Sequence, residues 1–139
     1  MKKNLLTLFI FISILTNISF AQIPSTEDSV KSLLCKKWEI DYALMTGMKI
    51  TKGMGAPDIF FEFKPDHTFL ETSSVEKKNE TGSWSVDLTK KLVSLQHEGK
   101  SKIIISSITP VELQMRLLPQ NESEKDLEQM QLVLKLRDQ

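Results

Sequence analysis

The stretch Ile59-Phe60-Phe61-Glu62-Phe63, Lys64-Pro65-Asp66-His67, Thr68-Phe69-Leu70-Glu71-Thr72 decides the fold, with Gly82-Ser83-Trp84-Ser85-Val86 and Leu92-Val93-Ser94-Leu95 after it. Short runs rich in aromatic and β-branched residues, divided by turn signals, define an antiparallel β-meander. Strand side chains alternate with period two, so Ile59, Phe61 and Phe63 share one face and Phe60, Glu62 and Lys64 the other. Pro65 suits the first central position of a type I turn. His67 stands where that turn admits a positive φ, which histidine tolerates, and reads as turn chemistry before it reads as a ligand.

Working outward, Trp38, Ile40, Tyr42 and Leu44 alternate with Lys37, Glu39, Asp41 and Ala43, predicting a first strand with one buried face. Val75 to Glu80 is charged and predicts a hairpin tip or strand ends in solvent. Asp87 to Lys91 and His97-Glu98-Gly99-Lys100 are turns flanking Leu92 to Gln96, and Lys102 to Ser107 follows. Thr109-Pro110 breaks the ladder, because proline has no N–H to donate. Val111, Leu113, Met115 and Leu117 then alternate with Glu112, Gln114 and Arg116. Pro119 to Gln129 is a polar connection to a last strand on which Met130, Leu132, Leu134 and Leu136 share a face. Eight antiparallel strands in chain order close most simply into an all-β, eight-stranded up-and-down barrel, which leaves no exposed edge. A two-sheet sandwich ranks second, since neighbour-to-neighbour connections need no long crossover.

The first 21 residues read as an address. Lys2 and Lys3 precede an apolar stretch from Leu5 to Leu15, and Ser19-Phe20-Ala21 offers small residues where a signal peptidase reads. Cleavage after Ala21 is expected, leaving Gln22 to Gln139 as one exported domain, periplasmic or secreted. The apolar stretch is short for a membrane span, so the cleaved chain is not expected to be an integral membrane protein. The only cysteine, Cys35, lies too far from the cleavage point to carry a lipid anchor.

The whole chain carries 18 basic and 18 acidic residues, and the cleaved one would carry 16 and 18. That balance gives no electrostatic case for nucleic acid or anionic membrane. A lone cysteine makes no internal disulfide, so a single core must hold the domain, and a monomer is expected. Cys35 reads as a small buried or half-buried apolar filler, with a reactive thiol or an intermolecular disulfide as the alternatives. Ser25 and Asp28 have capping-box spacing, and Val30, Leu33 and Leu34 gather on one helical face. A helix that short must pack on something larger, and closing one end of the barrel is the expectation.

Several segments together resemble the secreted lipocalin-like domains common in Bacteroidetes. They are Leu34 to Trp38 before a long strand, Phe61-Glu62-Phe63-Lys64-Pro65-Asp66-His67-Thr68-Phe69, Gly82-Ser83-Trp84-Ser85-Val86 and Leu92-Val93-Ser94-Leu95. The resemblance runs from about Ser29 to Leu136. It departs at Lys36, where lipocalins have glycine before the first tryptophan, and at His67, where the turn usually has glycine; Gly82-Ser83-Trp84 is intact. The resemblance implies an eight-stranded barrel, export and the binding of a small apolar molecule.

The segment from Met45 to Pro57 holds three methionines and three glycines, and predicts a mobile loop with adaptable apolar side chains. As a lid it would bring Met45, Met48, Ile50 and Met54 to a hydrophobic ligand; otherwise it caps the core and binds nothing. Phe61, Phe63, Phe69 and Trp84 would line the lumen of a hollow barrel and fill that of a solid one. Catalytic signals are lacking. His67 and His97 sit in separate turns, no Cys/His cluster has metal-ligand spacing, and the carboxylates of Asp41, Glu62 and Glu71 are assigned to a solvated outer face. No metal, no cofactor and no enzymatic activity are expected. Two function classes remain: a carrier of a small hydrophobic ligand in the lumen, and a module that binds a protein partner through one rim. A filled lumen would favour the second and an open apolar one the first.

Overall fold

The computed structural model describes residues 22–138; the expected signal peptide, residues 1–21, lies outside the described residues. One helix, α1 (Glu27–Leu34), precedes nine strands: β1 (Lys37–Met45), β2 (Met48–Thr51), β3 (Ile59–Phe63), β4 (Thr68–Ser73), β5 (Lys78–Asp87), β6 (Leu92–His97), β7 (Lys100–Ile108), β8 (Glu112–Leu117) and β9 (Met130–Leu136). Each pairing is antiparallel. Contact between β1 and β9, from Trp38↔Leu136 to Met45↔Met130, closes the sheet on itself. Since β9 covers one edge of β1, β2 and β3 share the other, at Tyr42 to Met45 and Lys37 to Glu39 respectively. They act as two halves of one stave. The protein is thus the eight-stranded, sequentially ordered barrel that the alternation predicts.

Turn chemistry sets the register. His67 N–H donates to the Lys64 carbonyl at 3.2 Å and Lys64 N–H to the Thr68 carbonyl at 2.9 Å, with His67 at φ 67°, as expected for a type I turn closed by a left-handed residue. Thr46-Gly47 and Glu98-Gly99 have positive φ at both positions, the two-residue turn whose twist matches that of its strands.

The interior is built from aromatic and branched side chains. Trp38, Trp84, Phe61, Phe69, Ile40, Leu95, Ile105, Leu113, Met115 and Leu134 are buried almost completely, each favouring the folded state by about 1.5–3 kcal/mol of transfer free energy. The phenylalanines form a layer, with Phe61 and Phe63 stacked at 6.1 Å and Phe63 and Phe69 tilted at 5.8 Å. The helix closes the end where β1 begins. Val30 and Leu34 have no exposed surface, and Trp38 Nε1 donates to the Leu34 carbonyl at 3.0 Å, satisfying a carbonyl of the last helical turn. The N-cap is Thr26, whose Oγ1 accepts from Ser29 N–H at 3.3 Å, one residue beyond the expected Ser25. Cys35 is half-buried against the core, and burial pushes its thiol pKa up.

Four local expectations are corrected. The register of β1 against β9 slips at Asp41, a bulge that turns Ala43 inward in place of Tyr42 and Leu44. Val111 is exposed: it precedes β8, in a turn where Thr109 Oγ1 accepts from the N–H groups of Val111 and Glu112. β5 starts at Lys78 rather than Gly82. The expected loop from Met45 to Pro57 is partly wall, with Met45 ending β1 and Met48–Thr51 forming β2. After the β1–β2 hairpin comes a 3-10 turn, Lys52–Met54, pinned where Lys52 Nζ meets Glu39 Oε2 at 3.2 Å and Asp58 Oδ1 at 3.1 Å.

Candidate functional site

Of the side chains expected to meet a ligand, Phe61, Phe63, Phe69 and Trp84 all lie in the packed core. Trp84 is fixed further, because its Nε1 donates to the Lys64 carbonyl at 3.0 Å and its indole stacks on the His67 ring at 4.2 Å. His67 Nε2 in turn lies 2.9 Å from Glu27 Oε1, so the turn, the helix and β5 are tied together at the closed end. Ile50 packs half-buried against the core and Met45 is half-buried, whereas Met48 and Met54 are 63% and 64% exposed. The eight residues do not converge on one point.

A different set does converge. Phe69 faces inward on β4, so Glu71, two residues on, faces inward as well. On β5 the same parity links Trp84 through Gly82 to Glu80, and on β6 it links Leu95 to His97. Glu71 and Glu80 are register partners, and continuing the β5–β6 register by one residue sets His97 beside Gly82. His97 Nε2 lies 3.1 Å from Glu71 Oε2, and Nδ1 lies 3.6 Å from Glu80 Oε2. The His97 side chain is only 7% exposed. The Phe69 ring meets it edge-on at 5.0 Å and 89°. Gly82 makes this possible, since the Phe69 ring occupies the space that any side chain at position 82 would need.

The electrostatics of the two carboxylates differ. Burial pushes the Glu71 pKa above the ordinary carboxylate value; His97 opposes that rise and the charge of Glu80 adds to it. Glu80 is held below the ordinary value, chiefly by its bond to Lys78. Beside the trio lies a cavity of about 530 Å³ lined by Lys78, Glu80, Thr81, His97, Glu98 and Lys102. It opens at the end opposite α1, the end to which β5 brings its first residues and β6 its last. The site therefore pairs an imidazole and two carboxylates, buried to different degrees, with water access from one side. Such a group can hold a cation, bind a hydrogen-bond donor or share protons. His97 contacts no hydroxyl or thiol that it would activate as a nucleophile among the described residues.

His97 is thus the final inward residue of a strand rather than an isolated turn histidine, and Glu71 points into the barrel rather than to the outer face. The signal for both lay in parity with Phe69, Trp84 and Leu95.

Fold and site together define a closed, helix-capped antiparallel barrel with an aromatic-filled interior and a polar trio near its open end. Compared with protein-family models, curated proteins and solved structures, the chain matches none. No described helix is long and apolar enough to cross a membrane.

Proposed function

We propose that this protein is an exported, lipocalin-like, non-enzymatic binding barrel that engages a protein partner through the rim opposite α1. The observation that carries this reading is the filled interior: Trp38, Trp84, Phe61 and Phe69 are at most 2% exposed. Cavities reach Phe69, Phe63 and Phe61, and each of them is lined as well by exposed polar residues such as Lys64 or Lys37, so they lie at the surface of the barrel. A carrier needs a concave apolar pocket that buries most of its ligand. The open rim offers instead two short turns, the exposed Met48, the Ser74–Lys77 tip and the polar trio.

A second reading rests on the half-buried Ile50, Ile59, Leu117 and Met130, which pack against the core from the open end. A small hydrophobic molecule seated there would be shallow and would displace little of the barrel's own packing. Native mass spectrometry of protein purified from its own host separates the two. A monomer without a co-purifying organic molecule is expected. A co-purifying lipid-sized mass, lost on Ile50→Asp, would overturn the rim reading in favour of the carrier.

A further inference from the structure

Wherever the strands of this barrel turn a residue into the core, that residue is apolar or small, with one cluster of exceptions. Glu71, Glu80 and His97 each present a donor atom, and the three donors lie within 4.8 Å of one another. We propose that this trio is a binding site for a divalent transition-metal ion, reached through the cavity at the open end.

The donor chemistry fits. One imidazole and two carboxylates form a nitrogen–oxygen set that suits zinc, manganese or cobalt, whereas a soft monovalent ion would prefer sulfur. Ligands held about 2.1 Å from a tetrahedral metal stand roughly 3.4 Å apart. The Nε2–Glu71 Oε2 separation of 3.1 Å and the Nδ1–Glu80 Oε2 separation of 3.6 Å each lie near that figure, so either ring nitrogen could share an ion with its facing carboxylate. Because the two contacts use opposite ring nitrogens, an ion would take one of them with a carboxylate. The other nitrogen would keep the kind of carboxylate partner that orients metal-bound histidines.

The supports are rigid. Glu71 and Glu80 stand opposite each other on paired strands, and His97 is wedged between Phe69 and the two carboxylates. A preorganised shell loses little freedom on binding. The cavity is the second, independent observation. Its 530 Å³ adjoin Glu80 and His97, giving an ion a route in and leaving coordination positions open to water or to a donor from outside. The electrostatic setting agrees, for Glu71 is partly desolvated and faces a second carboxylate, a strain that a divalent cation would relieve. The competing account is a purely structural triad in which His97 bridges the carboxylates and Lys78 and Lys102 balance their charge. Metal binding does not depend on which class of partner the rim engages.

The test uses the full chain, purified without a histidine tag and treated with chelator. It is titrated with Zn²⁺ and Co²⁺ by calorimetry, and with Co²⁺ by visible absorption. The expected result is one ion per chain, with cobalt bands that zinc abolishes. Glu71→Gln, Glu80→Gln and His97→Gln should each weaken binding by about 10–100-fold, while Glu62→Gln on the outer wall leaves it unchanged. Absence of saturable uptake overturns the site. So does uptake that persists in all three trio variants, which would assign the ion to surface carboxylates such as those of Glu122 to Glu128. Should His97→Gln fail to fold, the half-exposed Glu80→Gln decides, and unchanged affinity there also overturns the proposal.

Discussion

Gly82→Ala adds a single methyl group, and the structure says that it should damage the barrel. An ideal Cβ at Gly82 would stand 2.5 and 2.6 Å from Cζ and Cε1 of Phe69, and closer still to the Gln96 carbonyl oxygen. Carbon atoms in good contact sit about 3.5–4.0 Å apart, so the ring must retreat by roughly 1 Å. It has nowhere to go: Phe69 is 1% exposed, with Phe63 at 5.8 Å, Phe61 at 6.3 Å and His97 at 5.0 Å around it. The other obstacle is backbone of β6, which cannot rotate away. Overpacking of this kind costs about 1–3 kcal/mol, and a backbone obstacle puts this site at the upper end. The freedom that glycine loses on folding returns only about 0.5–1 kcal/mol, so a net loss of about 2 kcal/mol is expected. Urea unfolding measures it: with a slope near 1–3 kcal/mol/M, the midpoint should fall by about 1 M. Phe69→Leu supplies the control, because leucine lacks both ring atoms that stand in the way. In the double variant the two costs should fall short of additivity by about 1 kcal/mol or more. Gly82→Ala within about 0.5 kcal/mol of the parent, or strict additivity with Phe69→Leu, would refute this account of the glycine.

Three further outcomes follow from other parts of the barrel. Thr26→Ala removes the side-chain acceptor from Ser29 N–H at the start of α1; it should cost about 1 kcal/mol in thermal or urea unfolding. Ser107 Oγ is buried with no hydrogen-bond partner, so Ser107→Ala should stabilise the fold by about 1 kcal/mol, and a loss instead would show that the hydroxyl is satisfied in solution. Asp66 Oδ1 accepts from Thr68 N–H at 3.0 Å and from Thr68 Oγ1 at 2.5 Å, and these bonds hold its carboxyl below the ordinary value. A depressed carboxylate contributes stability above its unfolded pKa and loses it as pH falls through the folded one. Asp66→Asn, which keeps the acceptor and removes the charge, should therefore be the less stable form at pH 7, with the gap narrowing below about pH 4. Unfolding midpoints at several pH values test this, and a gap independent of pH would contradict it.

Most of the fold was legible because each local signal agreed with the next. Ile59, Phe61 and Phe63 alternate, Pro65-Asp66-His67 turns, and Thr68 returns with the same phase, so neighbour pairing needed no long-range information. What escaped was whatever breaks phase or depends on distant pairing. Asp41 carries no mark of a bulge; its displacement comes from β9, which lies some 90 residues away in sequence and pairs with β1 to close the barrel. Met48 to Thr51 has only four residues, flanked by glycines, and becomes a strand because β1 extends far enough to pair with it. The capping residue moved from Ser25 to Thr26, the ordinary uncertainty of a helix end.

The polar trio is the instructive case, since it was written in the alternation and misassigned by charge. Placing Phe69 inward places Glu71 inward, Trp84 does the same for Glu80, and Leu95 for His97. Each step is a shift of two or four residues along a strand, and the one irregularity nearby, where the β6–β7 register shifts between Leu95 and Gln96, puts its extra residue on β7 and leaves the alternation of β6 intact. The rule that charged residues face water is statistical, whereas parity along a regular strand is geometric, and where the two conflict the geometry prevails. The conflict itself carries information. A desolvated carboxylate such as that of Glu71 is costly in a barrel that could have closed with apolar residues, so its meeting with Glu80 and the buried His97 marks the place where the sequence departs from what stability alone would select. The same parity shows why Gly82 lies between them: without a side chain there, Phe69 reaches across β5 and holds the His97 ring against both acids.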